Sequence, residues 1–171
     1  MKRNGGRKIM GMTCYYLRAN EETIQRIQEG SVGDIAFDEE GEQNLLDIDK
    51  AWHAIHFILT GCVYDVDEDD ILSQLVLGGI PVSEEDMGYG PARLIGKETV
   101  AQLAEALKEW NEETFRENFD MKAMKDNDIY PMMSDEDDEM FYTYVWENFA
   151  EVKKYFQEAA EKGESIITFL A

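Results

Sequence analysis

The chain has 171 residues, of which 44% are hydrophobic, and it contains 8 Phe, 8 Tyr and 3 Trp. This length is typical of one domain, and the apolar content excludes wholesale disorder, because such side chains offset the entropy of ordering only when they are buried. The formal net charge is -21, from 37 acidic and 16 basic side chains. A field of this sign repels DNA, RNA and anionic lipid, so we expect no nucleic-acid or membrane binding, whereas a cationic protein partner is compatible with it.

The two cysteines, Cys14 and Cys62, form no CxxC pair and are too few to staple a secreted mini-protein. Neither a signal peptide nor a transmembrane helix is indicated, because no apolar run has the required length. We therefore expect a reduced, cytoplasmic protein. Residues 1–9 carry four basic side chains and match no structural pattern. They are predicted to be a disordered or mis-called extension, which leaves 10–171 as a single domain.

The first third of the chain alternates between strand, helix and loop signals. Asn20 can cap the first helix and Gly30 can end it. The next helix is predicted to start at Asp49, or at Asp47 if that residue is its cap, and Gly61 lies just past its end. In chain order we predict a strand over 12–17, a helix over 21–29, a loop over 31–44 and a central helix over 49–60.

The remaining two thirds of the chain contain its best-defined helix, which lies near the C-terminus. Ser134 can cap this helix, Gly163 can end it, and apolar side chains recur at helical spacing along its length. Before it we predict a turn or short helix over 65–70, a buried strand over 75–77, a turn over 83–91, a strand over 92–95 and a helix over 97–110. After it, residues 165–170 are predicted to form a closing strand beside the first strand or beside the strand over 92–95.

These elements follow no regular βαβ rhythm, which favours the α+β class. We expect a single domain with a small mixed or antiparallel sheet, packed by several helices that include the long C-terminal one.

The central helix contains both histidines of the chain. At 100° per residue, His53, His56 and Thr60 lie on one stripe, and two imidazoles at this spacing can share a metal ion. A metal site needs a third or fourth ligand, and the acids nearby in sequence, Asp47 and Asp49, lie at the helix start. We therefore expect no metal and no other cofactor. The two histidines are either structural or line a ligand pocket.

The acidic run after the central helix resembles a calcium-binding loop only in part. Asp65, Asp67 and Asp69 alternate as the ligands of such a loop do, but Asp70 stands where Gly is required and Val76 stands where a bidentate Glu should be. The EF-hand interpretation is therefore excluded.

Residues 88–93 read Gly-Tyr-Gly-Pro-Ala-Arg and offer a second candidate site. Two glycines flank Tyr89, and Arg93 follows at the start of a predicted strand, so the pair could bind an anion. The segment lacks the GxGxxG pattern and the following Lys-Ser/Thr of a phosphate loop. The alternative interpretation is a tight turn in which Arg93 pairs with one of the many carboxylates.

Four segments together resemble the YfbM-like family of uncharacterised bacterial proteins, and the resemblance covers nearly the whole chain from Met10 on. These segments are Met10-Gly11-Met12, residues 46–56 (LDIDKAWHAIH), residues 59–61 (LTG) and residues 88–93 (GYGPAR). The resemblance implies an α+β fold and a cytosolic bacterial origin. It implies no activity.

Two hypotheses for function follow. In the first, the chain is a non-enzymatic interaction protein whose acidic surface binds a basic protein partner and can neutralise it. In the second, it is an enzyme or a binder of a small anionic ligand, with a pocket between the central helix and the 88–93 segment. The histidines would then serve as acid and base, Tyr89 would stack or donate a hydrogen bond, and Arg93 would hold the anion. The candidate ligand-binding residues are His53, His56, Tyr89, Arg93, Asp49 and Thr60.

Overall fold

A computed structural model describes residues 11–132 and 135–171 of the chain. Within these ranges the chain forms a five-stranded sheet and nine α-helices. The strands are β1 (Cys14–Ala19), β2 (Leu45–Asp47), β3 (Ile80–Asp86), β4 (Pro91–Ile95) and β5 (Ser165–Leu170). The helices are α1 (Glu21–Glu29), α2 (Val32–Ala36), α3 (Glu39–Asn44), α4 (Trp52–Thr60), α5 (Gln74–Leu77), α6 (Lys97–Leu107), α7 (Glu112–Glu117), α8 (Met121–Asp126) and α9 (Asp138–Glu161), and a 3₁₀ turn spans Ile71–Ser73.

The sheet is antiparallel throughout, with the strand order β2-β1-β5-β4-β3. The closing strand β5 lies between β1 and β4, so it has both of the neighbours that the sequence offered as alternatives. Thr168 of β5 stands opposite Tyr16 of β1 on one side and opposite Arg93 of β4 on the other. These three side chains therefore lie in one row on one face of the sheet. The α+β prediction is confirmed, and the sheet is antiparallel rather than mixed.

Helices cover both faces of this sheet. Because side chains alternate along a strand, Tyr16 faces the larger core with α4, α6 and α9, whereas Leu17 faces a smaller core with α1 and α2. Both side chains are almost completely buried. Two separate apolar layers thus stabilise the sheet.

The predicted apolar stripe of the C-terminal helix is buried in the larger core. Its members, each at most 4% exposed, are Phe141, Val145, Phe149, Val152 and Phe156. Phe149 stacks on Phe115 of α7 with the ring centroids 4.6 Å apart. The Tyr155 hydroxyl donates to the carbonyl oxygen of Tyr16 at 3.0 Å and so connects α9 to the sheet.

Several predicted boundaries agree with the structure because the signals are local. The Asn20 side chain accepts from Thr23 N–H and caps α1, as predicted. Gly61 follows α4 with a φ of 74°, which a glycine adopts without strain. The N-cap of α9 is Asp137, which accepts from Met140 N–H at 2.9 Å. The predicted cap, Ser134, lies outside the described residues.

The predicted loop over 31–44 is wrong, since this segment contains α2 and α3. Each helix is short, but each has a side-chain cap: Ser31 accepts from Asp34 N–H, and Asp38 accepts from Gly41 N–H. A distant carboxylate adds to the first cap, because Glu85 of β3 accepts from Val32 N–H at 2.8 Å. Tertiary contacts therefore stabilise helices that the local composition does not favour.

The central helix also begins later in the chain than the sequence predicts. Asp47 belongs to the short strand β2, and Asp49 has a φ of 52°, which interrupts any helix at that point. The helix α4 begins only at Trp52. Pairing of β2 with β1 decides this boundary, and a pairing between distant segments has no local sequence signal.

The middle of the chain contains several further differences. Residues 75–77, predicted as a buried strand, lie in the helix α5, because a short apolar run has no periodicity that separates the two states. The turn predicted over 83–91 is shorter in the structure, because β3 continues to Asp86 and the turn spans 87–90 before β4. The helix predicted over 97–110 ends at Leu107, and α7 and α8 were not predicted.

No helix within the described ranges is both long and apolar enough to cross a lipid bilayer.

We expect replacement of Phe149 by Ala to lower the free energy of unfolding by about 3–5 kcal/mol, because it leaves a cavity in the larger core. Urea denaturation measures this change. The matched control is Met140→Ala on the same helix, where the side chain is 73% exposed and the expected change is about 0.5 kcal/mol or less. Equal losses in the two variants would contradict this description of the core.

Candidate functional site

His53 lies buried on α4 with both ring nitrogens engaged. Its Nδ1 accepts from the backbone N–H of Tyr130 at 2.9 Å, and its Nε2 lies 2.9 Å from the carbonyl oxygen of Val63. A carbonyl only accepts, so this arrangement places the proton on Nε2 and makes the ring neutral. The ring also stacks between Trp52 and Tyr64, at centroid distances of 5.0 and 4.7 Å. His53 therefore joins three segments of the chain.

His56 lies one turn further along α4 and is fully buried. Neither of its ring nitrogens has a hydrogen-bond partner among the described residues. Burial lowers the pKa of this imidazole, although the Asp65 backbone and the carboxylates of Asp70 and Asp65 lie near enough to oppose the change. Burial also lowers the pKa of His53. Both imidazoles are neutral near pH 7.

Arg93, the proposed anion clamp, binds backbone carbonyls. Its guanidinium donates to the carbonyl oxygen of Gly78 at 3.1 Å and to that of Val76 at 3.3 Å. The Tyr16 hydroxyl donates to the neighbouring carbonyl of Leu75 at 2.9 Å. A helix leaves its last carbonyls without partners, so these two side chains of the sheet supply donors to the C-terminal end of α5.

The glycines around Tyr89 form the turn between β3 and β4. Gly88 and Gly90 have φ values of 130° and 99°, and both donate their N–H groups to the carboxylate of Asp86. These hydrogen bonds lower the pKa of Asp86. Tyr89 is 43% exposed, and its N–H donates to the carbonyl oxygen of Leu170 at 3.3 Å. The tight-turn interpretation accounts for these contacts.

The other two candidate residues, Asp49 and Thr60, lie at opposite ends of α4, on either side of the two histidines. Asp49 precedes α4 and accepts from the Tyr144 hydroxyl at 2.8 Å. Thr60 ends α4, and its hydroxyl donates to the carbonyl oxygen of His56 at 2.7 Å. A helix of nine residues is about 13 Å long, so Asp49 and Thr60 are too far apart to hold one small ligand. The structure keeps His53, His56 and Thr60 together on α4, whereas the side chains of Asp49 and Arg93 bind other partners.

A groove of about 510 Å³ lies elsewhere, between the segment Gly61–Asp70 and the start of β3. We call this segment the acidic loop. The lining of the groove is mixed, with aliphatic residues beside the polar Gln74 and Thr99, and with Glu68 of the acidic loop as its carboxylate. The aliphatic residues along it are Val66, Leu77, Ile80, Leu94 and Ile95. Ile80 is 74% exposed and Val66 is 42% exposed, which is unusual for large aliphatic side chains that share one groove.

Hydrogen bonds from the following 3₁₀ turn fix the shape of the acidic loop. The Ser73 hydroxyl accepts from Asp67 N–H at 2.9 Å and lies 2.7 Å from the carbonyl oxygen of Asp70. The Asp70 carboxylate accepts from Leu72 N–H and begins the turn. On its other side the loop is attached to α4 through the stacking of Tyr64 on His53.

The opposite wall of the groove is fixed by Arg93 and by Gly79. Gly79 has a φ of 95°, and a β-carbon there would come within 2.9 Å of the Leu94 carbonyl oxygen. Only glycine fits this close approach without strain. Because Arg93 also binds the carbonyl of Gly78, the groove is formed before any partner binds.

The acidic loop carries an unbalanced negative charge. Its exposed acids are Asp65, Asp67, Glu68 and Asp69. No Lys or Arg occurs in the sequence between Lys50 and Arg93. None of the ion pairs formed by residues 11–132 and 135–171 includes an acid of this loop. Since Arg93 is engaged with carbonyls, the loop presents a local negative potential to solvent.

Sequence reasoning missed the apolar half of this site. For residues 65–70 the sequence predicts a turn or short helix and excludes a calcium-binding loop, and Ile80 is not among the candidate residues. A usable signal was present, because Val66 interrupts a run of carboxylates and Ile80 stands between Gly79 and Pro81, which favour an exposed edge. Across the two described ranges, no three His, Cys, Asp or Glu side chains come together as metal ligands.

Comparisons with known proteins agree with the resemblance stated above. The sequence matches a family model described as a domain of unknown function (DUF1877) over residues 10–169. Protein YfbM of Escherichia coli (strain K12) is 32% identical over 126 residues, which cover 71% of this chain and 74% of that protein. The crystal structure of YfbM from Escherichia coli, a protein of unknown function, has a TM-score of 0.71 at 24% identity and covers 93% of this chain and 99% of its own. This structural match shows that the two proteins share a fold.

The two histidines should respond differently to replacement by Leu. His53→Leu leaves the Tyr130 N–H and the Val63 carbonyl without partners, so we expect a loss of about 1–3 kcal/mol in the free energy of unfolding at neutral pH. His56→Leu removes no hydrogen bond of the described residues and should change stability by about 1 kcal/mol or less. Urea denaturation at neutral pH compares the two variants.

The pH dependence of stability provides a second test of His56. Its folded pKa lies below the usual 6.5, so the unfolded chain takes up the proton first as the pH falls. The stability due to the neutral ring is complete above pH 6.5 and decreases as the pH falls from 6.5 toward the folded pKa. We expect His56→Leu to lose less stability than the native chain between about pH 7.5 and about pH 5.5. Identical losses would contradict a buried, neutral His56.

Proposed function

The chain belongs to the DUF1877 family of uncharacterised proteins, and we propose that it is a binding protein that captures a basic protein partner through the acidic loop. The observation that carries this proposal is the set of four exposed acids on that loop, none paired with a cation within the described ranges. Carboxylates held together without counter-charges raise the free energy of the isolated protein. A partner with lysines and arginines lowers it.

Electrostatics of this kind act mainly on recognition and on the association rate. One exposed ion pair stabilises a complex by only about 0.2–1 kcal/mol, so several must act together. The loop offers such a group on a short segment whose backbone is fixed by Ser73 and Asp70. A fixed arrangement of charges loses less entropy on binding than a mobile one. Capture of a basic partner in this way could neutralise that partner.

The geometry gives less support to a pocket for catalysis or for a small anion. His53 has both nitrogens engaged, and His56 is fully buried, so neither reaches solvent to exchange a proton with a substrate. Arg93 already donates to two carbonyls. An anion near the acidic loop would also meet several carboxylates. We therefore favour the interaction protein over the enzyme or small-ligand hypothesis.

Removing charge from the acidic loop should weaken capture of the partner. In the variant Asp65→Asn, Asp67→Asn, Asp69→Asn, we expect the affinity for a basic protein captured by the native chain to fall roughly tenfold, since three ion pairs are lost. Capture from a bacterial extract on immobilised protein, followed by mass spectrometry and titration of the captured protein, measures this. The bound protein should be released between about 0.1 and about 1 M salt, as the screening length falls from about 10 to about 3 Å.

The matched control changes the same number of charges elsewhere. Glu113, Glu117 and Glu151 are exposed on α7 and α9 and form no ion pair within the described ranges. Their replacement by Gln should leave capture nearly unchanged. The proposal fails if the native chain retains no basic protein at low salt, or if the loop variant and the control lose affinity equally.

A further inference from the structure

We infer that the groove beside the acidic loop receives a large apolar side chain of the basic partner, flanked in the partner by lysine or arginine. This inference rests on the proposed function and specifies the chemistry of the partner. Its basis is the position of Val66 and Glu68, which belong to the acidic loop and also line the groove. Charge recognition and apolar contact are thus offered by one continuous surface.

Two aliphatic residues of the groove, Val66 and Ile80, belong to neither core of the described residues, whereas Leu77, Leu94 and Ile95 pack in one or the other. Ile80 is 74% exposed although it is a strand residue, and Val66, which lines the same groove, is 42% exposed. Single exposed aliphatic residues are common in proteins. Two of them in one groove, next to Glu68, give this groove an exposed aliphatic part and an acidic edge. Such concavities suit one anchoring side chain of a partner.

The negative charge of the acidic loop favours one of the possible occupants of the groove. Glu68 lines the groove, and Asp65, Asp67 and Asp69 lie on the same loop. A second copy of this chain carries a net charge of -21 and would be repelled, as would an anionic ligand. A neutral apolar ligand would leave the carboxylates unpaired. An apolar side chain between basic residues satisfies both halves of the surface.

The edge of the sheet indicates that the partner inserts side chains and does not add a strand. β3 is an edge strand, but Pro81 has no N–H to donate. The pairing of β3 with β4 also shifts register between Pro81 and Asp86, which bends the strand. Prolines and bulges make poor templates for a further strand. Binding in the groove therefore depends on the anchor side chain.

The groove is preorganised for such an anchor. Arg93 holds the carbonyl of Gly78 on one wall, and Ser73 holds the backbone of Asp67 near the other. A partner therefore does not have to order these segments when it binds, and that saves part of the cost of association.

Two synthetic peptides separate the apolar contribution from the charged one. The first alternates pairs of lysines with leucines, and the second has serine in place of every leucine, so that their charges are equal. We expect the native chain to bind the leucine peptide roughly tenfold more tightly in calorimetric titrations, a ratio that corresponds to about 1.4 kcal/mol. With Ile80→Ser the ratio should fall to about one, while the salt dependence of binding stays as in the native chain.

The control variant is Met140→Ser, which removes an equally exposed apolar side chain from α9 and should leave the ratio unchanged. Chemical-shift mapping with the leucine peptide should place the largest changes at Val66, Leu77 and Ile80. Circular dichroism should show that both variants are folded, because both substitutions are at exposed positions.

Three other outcomes would contradict the inference, and they differ in what they imply for the proposed function. Equal, salt-sensitive binding of both peptides would overturn the apolar anchor and leave the proposed function standing. Binding of neither peptide at low salt would contradict the proposed function itself, and the inference with it. Self-association of the native chain that Ile80→Ser abolishes, measured by analytical ultracentrifugation, would assign the groove to a second copy and overturn the inference.

Discussion

The pairing of β5 with both β1 and β4 determines where the two halves of the chain meet. In this register Thr168 has Tyr16 on one side and Arg93 on the other, so these two long side chains reach the same helix. Tyr16 donates to the carbonyl of Leu75, and Arg93 donates to those of Val76 and Gly78. A four-residue helix is too short to be stable alone. Its position, and with it one wall of the groove, depends on the central strand of the sheet.

The distribution of charge on the surface depends on which arginine side chains are engaged inside the fold. Arg93 binds carbonyls, and Arg18 lies mostly buried beside Glu158 and Glu164 of the C-terminal region. With these arginines engaged and no other Lys or Arg between Lys50 and Arg93, the acidic loop keeps its charge unbalanced within the described ranges. A concentrated negative charge therefore lies beside a groove with exposed aliphatic residues. Local potentials, more than the total charge, decide which partners approach.

The histidines show why a chemically suggestive motif can have a structural role. Their spacing correctly indicates that they share a stripe of α4, but it carries no information on what covers that stripe. Tyr64 covers His53, and the carbonyl of Val63 and the N–H of Tyr130 occupy both of its nitrogens. The ring thereby holds the start of the acidic loop against α4. His53 therefore helps to position the acidic loop, and with it the groove, from inside the core.

The sequence by itself determined the features that depend on neighbouring residues: the cap at Asn20, the end of α4 at Gly61, the buried stripe of α9 and the α+β class. These were predictable because caps and helical stripes involve residues at most a few positions apart. Only the tertiary structure decided that residues 75–77 are helical and that β3 is an edge strand. It also brought Val66, Ile80 and Leu94 around one groove. Such choices depend on strand pairing and burial between distant segments, which leave no periodic signal in the chain.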